Sequence, residues 1–551
     1  MIDRVIEWSA RNTFLVFLAT LFLMGWGLWA VYQTPLDAIP DLSDVQVIVF
    51  TEWPGRSPDL VEDQITYPIV TSMLGAPRIK SVRGQSFLGL SFVYIIFQDG
   101  TDLYWARSRV VEYMQGVTGK LPEGVSPTLG PDATGVGWVF QYALVDKSGQ
   151  HDLSELRSFQ DWYLRYWLQS VPGVAEVASI GGFVKQYQVQ VDPNKLLGYH
   201  IPLKAVIEAI RRSNNDVGGR VIEASEREYM VRGRGYIRSL DDIRHVPLGT
   251  DRQGTPITVQ DVGRVTIGPD IRRGLAELDG QGETVGGIVV MRYGENALAV
   301  IDRVKDKLKE ITPSLPKGIE ILTVYDRSDL ILRAIATLKE KLVEISLVVS
   351  VISLVFLFHL RSALVAILTL PVAILLSFLA MYYLGITSNI MSLAGIAIAI
   401  GAMVDAVIVM IENAHKRLEQ WDRAGQSGAR TAVIIRAAQE VGKPLFFSLL
   451  IITISFLPVF TLEAQEGRLF RPLAFTKSAA MLFAAFVSIT LAPLLMVWLI
   501  RGRIAPEERN PINRILIWLY RPLVSGALRV RWLVVILAIG AVGSSIPLYG
   551  K

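Results

Sequence analysis

Residues 362–404 run for 43 positions without one formal charge. A helix that crosses a bilayer needs roughly 20 mainly apolar residues, so this run is long enough for two crossings, and Gly385 to Asn389 divides it. Further uncharged windows lie at 13–32, 345–360, 444–462, 478–500 and 532–550. The sequence therefore predicts an α-helical transmembrane bundle of seven spans, with a large insert after the first. The first span is too long for a secretory leader, and Leu36-Asp37-Ala38 after it offers no small-residue cleavage site, so it reads as an uncleaved anchor. A chain that is 51% hydrophobic and yet 19% charged fits this division, with charge kept apart from the apolar runs.

Basic residues in the short loops set the expected orientation. The stretch 415–443 carries Lys416, Arg417, Arg423, Arg430, Arg436 and Lys443, and 501–531 carries seven Arg. The turn at 385–390 has none. The N-terminus and the 415–443 loop are thus expected in the cytoplasm, which puts 33–335 across the membrane, in the periplasm of a Gram-negative cell. The expected order is a cytoplasmic N-terminus and first span over 1–32, the large region over 33–335, five spans over 336–500, a cytoplasmic linker over 501–531 and a last span over 532–551.

The large region reads as α+β. Val45 to Thr51 and residues 79–97 have strand character, and Gln186 to Val191 alternates strictly. From Asp102 a helix is expected, with Leu103, Ala106, Val110, Tyr113, Met114 and Val117 on one face. Units of this size suggest split βαβ, ferredoxin-like subdomains. No phosphate loop, dinucleotide fingerprint, zinc-protease motif or serine elbow occurs, so binding and shape change are expected rather than covalent catalysis. The net charge of +4 and the lack of a long basic run argue against nucleic acid. With no cysteine, thiolate metal sites and disulfides are excluded. The five His (His151, His200, His245, His359 and His415) lack zinc-ligand spacing and are expected to be structural.

One carboxyl carries the functional argument. Asp405 falls near the middle of the span that starts at about Asn389, where a carboxylate costs roughly 2.5–3.5 kcal/mol on insertion scales. Hydrocarbon favours its neutral form. A group that loads a proton on one side and releases it on the other is what a proton relay requires; the alternative is a structural carboxyl bonded to a neighbouring helix. Glu412, seven residues on, shares its face and either joins the relay or faces water at the cytoplasmic end. Seven of the twelve Met lie in predicted spans: Met24, Met381, Met391, Met403, Met410, Met481 and Met496. At about 100° per residue, Met403 and Met410 share a face roughly opposite Asp405, and Met391 shares the Asp405 face. Thioether sulfur suits Cu(I) or Ag(I), but Met is also ordinary core filler. For any single Met, packing is the better reading from these residues alone.

One span, a large insert and five further spans resemble the first repeat of a resistance-nodulation-division (RND) transporter. Leu36-Asp37-Ala38-Ile39-Pro40-Asp41, Gly130-Pro131-Asp132-Ala133-Thr134-Gly135 and Tyr325-Asp326-Arg327 resemble its heavy-metal branch. The segment from Asn389-Ile390-Met391-Ser392-Leu393 through Met403-Val404-Asp405 to Glu412-Asn413-Ala414-His415-Lys416 resembles the Cus/Sil-type copper and silver subgroup. Drug exporters of the superfamily carry two adjacent Asp here, whereas Ala406 follows Asp405. Zinc, cobalt and cadmium pumps carry a further Asp upstream, whereas Ile396 to Val404 holds no acid.

The resemblance implies proton-driven efflux of heavy-metal ions, Cu(I) or Ag(I), through Met391, Met403, Met410, Met481 and Met496, with no bound cofactor. It implies a bacterial inner-membrane homotrimer, set in lipid and working with a periplasmic membrane-fusion adaptor and an outer-membrane channel. A periplasmic Met of the family falls at Ile271 here, which weakens that part of the ion route. It also implies a porter subdomain split over 45–131 and 275–333, a second at 132–181 and a docking subdomain at 182–274. Family members have two such repeats. The partner Lys and acid of the relay belong to the second, so the chain is expected to be an N-terminal half that does not pump alone. Two other readings stay open: a transport-inactive membrane fragment that only binds metal or partner subunits, and an RND exporter of other cations or drugs.

Overall fold

A computed structural model describes residues 1–549 except Arg252, Arg273, Phe358, Gln426, Ser427 and 502–510. The chain divides into two compact units: Met1–Val136 with Asn296–Leu298 and Arg327–Lys551, and Gly137–Glu295 with Ala299–Asp326.

The first unit holds the long helices. A short helix, α1 (Ile2–Arg11), precedes α2 (Thr13–Gln33), and after the inserted domains come α3 (Arg327–Leu357), α4 (Leu360–Tyr383), α5 (Ile390–Arg423), α6 (Arg430–Ile454), α7 (Ala464–Leu499), α8 (Pro511–Arg529) and α9 (Arg531–Tyr549). Among the described residues five are long and apolar enough to cross a membrane: α2, α4, α5, α6 with the turn after it, and α7. A sixth span results if the pair formed by α8 and α9, bent by 91°, is counted as one. By length and apolarity, five or six of the seven expected spans are thus accounted for among the described residues. Residues 345–357 of the run at 345–360 are the second half of α3, and an eighteen-residue stretch ending at Leu357 still includes Glu340, Lys341 and Glu344. The run at 532–550 is one arm of the bent pair, and part of the expected linker at 501–531, residues 502–510, lies outside the described residues.

Helices α5 and α7 are the centre of the bundle, packed on each other and both on α4 and α6. They approach closely at Gly395, where a Cβ would collide with the Leu473 carbonyl and the Thr476 side chain. Thr476 Oγ1 donates to the Ser392 carbonyl at 2.8 Å across that contact. Small residues and hydroxyls are what let apolar helices pack where burial from water supplies no drive.

The first unit also carries a four-stranded antiparallel sheet of β1 (Gln46–Glu52), β2 (Ile79–Phe87), β3 (Leu90–Phe97) and β4 (Thr128–Leu129), in the order β2-β3-β1-β4. Val47, Val49 and Thr51 of β1 are buried at every second position, and the two valines pack with the helical segment at 58–73 and the helix Leu103–Thr118. That helix begins where Asp102 caps it, accepting from the Trp105 N–H at 2.7 Å. Leu103, Ala106, Val110, Met114 and Val117 are its buried face.

The second unit repeats the pattern. Strands β5 (Trp138–Asp146) and β6 (Val174–Gly181) flank a helical segment at 153–169. An insertion follows, made of β7 (Lys185–Val191), β8 (Val217–Ala224), β9 (Arg227–Gly233), β10 (Pro247–Thr250), β11 (Pro256–Thr258) and β12 (Gly263–Pro269). The chain then returns as β13 (Val285–Met291) and β14 (Ile319–Asp326), and the sheet order is β14-β5-β13-β6. This corrects the expected split. The late strands pair with β5 and β6, Ile319 lying opposite Asp146 and Val285 opposite Gly181, and not with the β1–β4 sheet. Sequence distance carries no record of which edge a returning strand joins.

Candidate functional site

Helix α5 starts from a reciprocal cap. The Asn389 side chain accepts from the Ser392 N–H at 3.0 Å, and Ser392 Oγ accepts from the Asn389 N–H at 2.8 Å. The segment after α2 is strapped to this start: Ser388 N–H donates to the Pro35 carbonyl, Asp37 N–H to the Ser388 carbonyl and Ile390 N–H to the Ala38 carbonyl, at 2.8, 3.0 and 3.1 Å. Three motifs distant in sequence meet around the same strap. Asp37 Oδ1 pairs with Arg327 Nη2 at 2.9 Å, Arg327 also donates to the Val136 carbonyl, and Thr134 donates to Asp41 Oδ2 at 2.7 Å. Nothing in the spacing of these residues announced that contact.

Along α5 the two faces differ sharply. Ile396, Ala399, Ile400, Met403, Val404, Val407, Met410, Ile411, Ala414 and Leu418 are buried, at the three- and four-residue spacing of one helix face. Ile398, Gly401, Asp405, Val409 and Glu412 form an exposed stripe at the same spacing. Asp405 thus sits mid-helix on a face left uncovered among the described residues. Glu412 is on that stripe, exposed and paired with Lys416 at 2.8 Å.

The methionines of the buried face share apolar clusters with methionines of α7. Met403 and Met481 share one apolar cluster with Ala399, Ile400, Ala480 and Ala484. Met410 and Met496 share a second with Val407, Ala414 and Ala492. All four are at most 3% exposed, so each sulfur is enclosed by hydrocarbon. Met391 is half-buried and belongs to neither cluster. Among the described residues no three His, Asp or Glu side chains gather as a cation site. Thioether is therefore the only soft donor the bundle encloses at these positions.

One group lay outside the sequence reading. Lys477, one residue before the uncharged run in α7, is buried with Nζ 3.2 Å from the centroid of the Phe456 ring. His359 and His415, remote in sequence, meet with ring centroids 5.8 Å apart and share Ser362 Oγ, at 2.8 Å from His359 Nδ1 and 2.7 Å from His415 Nε2. The Ser362 N–H also donates to His359 Nδ1, at 3.2 Å. That nitrogen is then an acceptor, and the consistent assignment has His415 Nε2–H donating to the Ser362 hydroxyl and the hydroxyl donating to His359. The His359 Nδ1 lone pair is used up, and the pair ties α4 to α5.

Compared with known proteins, residues 5–551 match the AcrB/AcrD/AcrF family. The chain belongs to that family. Within it, the chain is 56% identical over 529 residues to the cation efflux system protein CusA of Escherichia coli K12, covering 95% of this chain and 50% of that protein. The putative cation efflux system protein SilA of Salmonella typhimurium matches to the same extent. The cobalt-zinc-cadmium resistance protein CzcA of Cupriavidus metallidurans is 39% identical over 542 residues, covering 96% of this chain and 50% of that one. The crystal structure of a heavy metal efflux pump superposes with a TM-score of 0.84 at 30% identity, over 99% of this chain and 52% of the pump. The chain spans about half the length of the curated relatives it matches. As a member of the AcrB/AcrD/AcrF family with five such apolar helices, it is a membrane protein.

Proposed function

We propose that this chain forms half of an inner-membrane pump that expels Cu(I) or Ag(I) in exchange for protons. The observation that carries the reading is the opposition of two faces on one helix. Met403 with Met481 and Met410 with Met496 occupy dry clusters on the buried side of α5, and Asp405 stands on its uncovered side. Soft sulfurs about 10 Å apart along α5, at Met403 and Met410, and about 22 Å apart along α7, at Met481 and Met496, can hand on a monovalent soft ion without the grip of thiolate. Met391, about 18 Å before Met403 on the same helix, would extend that route toward the start of α5. Asp405 in hydrocarbon takes up and releases the driving proton once a further helical repeat closes over the Ile398–Glu412 stripe, and Glu412 serves at the cytoplasmic end.

The rest of the proposal follows the relatives. Residues 33–335 lie in the periplasm, the βαββαβ order of both sheets with its 4-1-3-2 arrangement supports ferredoxin-like porter subdomains, and α3 and α9 complete seven spans. The assembly is a homotrimer that engages an adaptor and an outer-membrane channel.

The test pairs the chain with the remaining half of a pump of this family in a silver-sensitive host. Asp405→Asn is expected to abolish silver tolerance with unchanged protein level. Met403→Leu and Met410→Leu conserve volume and should cost less than about 1.5 kcal/mol of stability, yet lower tolerance at least tenfold. Full tolerance in either set, or protection against zinc alone, overturns the proposal.

A further inference from the structure

From Pro472 to Leu499 helix α7 carries a single charge, at Lys477. That side chain is only 9% exposed, and its Nζ rests on the ring of Phe456, two residues past the end of α6. Among the described residues no carboxylate and no hydrogen-bond acceptor meets the ammonium. So little surface is left that a counter-ion from outside the chain has hardly any access. Neighbouring elements offer none either. Helix α5 is uncharged from Ile390 to Val404, and 444–462 is uncharged. On α3, Lys341 and Glu344 are exposed and pair with each other at 2.6 Å. Asp405 stands on the uncovered face of α5.

Three contacts fix the level of this cation in the bundle. Gly395 of α5 lies against Leu473 and Thr476 of α7, Thr476 donates to the Ser392 carbonyl, and Met403 shares a cluster with Met481. The two helices thus advance side by side, and Lys477 falls about 10 Å past the level of Met391 and about 8 Å before that of Met403. Met481 is one turn on from Lys477 along the same face. Ile452, one turn back from Phe456, packs on the cluster that encloses Met403 and Met481. Lys477 on Phe456 is therefore the layer next to those two sulfurs, and an ion moving from Met391 to Met403 has to pass its level.

We propose that Lys477 is the valence gate of the soft-ion route: its ammonium, held on the Phe456 ring, lets the Met403–Met481 cluster take a monovalent ion loosely and keeps divalent ions out. This rests on the reading of Met403 and Met481 as ion ligands. Thioether sulfur selects for softness, whereas a fixed positive charge selects by valence. At an effective dielectric of about 20, two unit charges one turn apart, about 6 Å, oppose each other by roughly a hundredfold in occupancy, and a divalent ion meets roughly the square of that factor. The same repulsion speeds departure of the ion that does enter.

The experiment uses the full 551-residue chain in phosphatidylcholine nanodiscs, titrated with Ag(I) and, separately, with the soft divalent ion Cd(II), with binding read by calorimetry. Lys477→Leu and Lys477→Gln remove the charge with different shapes. Both are expected to tighten Ag(I) about a hundredfold and Cd(II) by more, so that the preference for Ag(I) over Cd(II) falls about a hundredfold. Lys477→Arg keeps a cation on the ring and should keep the affinities and the preference of the unaltered chain, which a purely structural role would not require. Adding Met403→Leu to Lys477→Leu should abolish the tightened Ag(I) binding. Equal or weaker Ag(I) binding in both neutral variants, an unchanged preference, or the same tightening in Lys477→Arg would overturn the gate and leave the methionine route standing. Tight Ag(I) binding that survives Met403→Leu would instead remove Met403 as a ligand, and the gate would fall with it.

Discussion

Burial, and then the neighbouring Arg361 guanidinium, hold the His359 imidazole below its ordinary pKa, while a hydrogen bond with the backbone at Arg501 works the other way. The folded chain therefore resists a proton that the unfolded chain accepts near pH 6.5, and stability falls as pH drops below that value toward the lowered one. His359→Asn keeps a capping side chain for α4 and removes the titration. We expect the melting temperature of the detergent-solubilised chain to fall between pH 7 and pH 5, and the variant to show a shallower slope; parallel slopes would refute the assignment. The position of Asp405 was legible because one acid in an apolar run stands out by cost alone, and the shared face of Met403 and Met410 followed from helical period. Met481 and Met496, which share their clusters, come from another helix, as does the His359–Ser362–His415 link, and no period within one segment reports a neighbour.

The head of α7 is held by one side chain. Arg468 pairs with Asp44 at 2.9 Å and with Asp99, and donates to the Leu42 carbonyl at 2.8 Å, while Asp99 also accepts from the Ala464 N–H. The hydrogen bond from Arg468 holds the Asp99 carboxyl below the usual carboxylate range. This tie is complete above that range and is lost as pH falls through the lowered value. Arg468→Ala should therefore raise hydrogen exchange over the first turn of α7 by roughly tenfold at neutral pH, a modest change because these carboxylates remain partly solvated. The same variant should erase the acid dependence of that exchange; an unchanged pattern would mean that packing alone fixes the helix head. At this scale the apolar helices were legible from uncharged runs, since a helix satisfies its own backbone in hydrocarbon and a charge there is costly. The count is least marked where charge and hydrocarbon share a helix, as Glu340, Lys341 and Glu344 do with the apolar half of α3. The strands were found by alternation, but β14 joins β5 across an insertion of about a hundred residues, a choice made by the sheet edge left open.

Considered whole, the chain leaves one stripe without a reason to be bare. Ile398, Gly401, Asp405, Val409 and Glu412 repeat at helix-seam spacing, with a small residue at Gly401 where another backbone could approach closely. A carboxylate facing lipid alone is costly, whereas one set against a cationic side chain of a neighbouring helix is stable and able to exchange protons. The stripe is then the seam along which a second helical repeat packs, and it makes the proton site a product of two halves. The absence of cysteine offers a direct test, since Val409→Cys gives a single thiol at the centre of the seam. Expressed alone in membranes, that variant should react with a small permeant maleimide and give no silver tolerance. Expressed with the other half of a pump of this family, it should be protected at least tenfold, and the chain with Val409 intact should confer tolerance. Equal labelling in both cases would mean that the stripe faces lipid throughout the cycle. Asp405 could not then be the group that couples proton entry to ion movement.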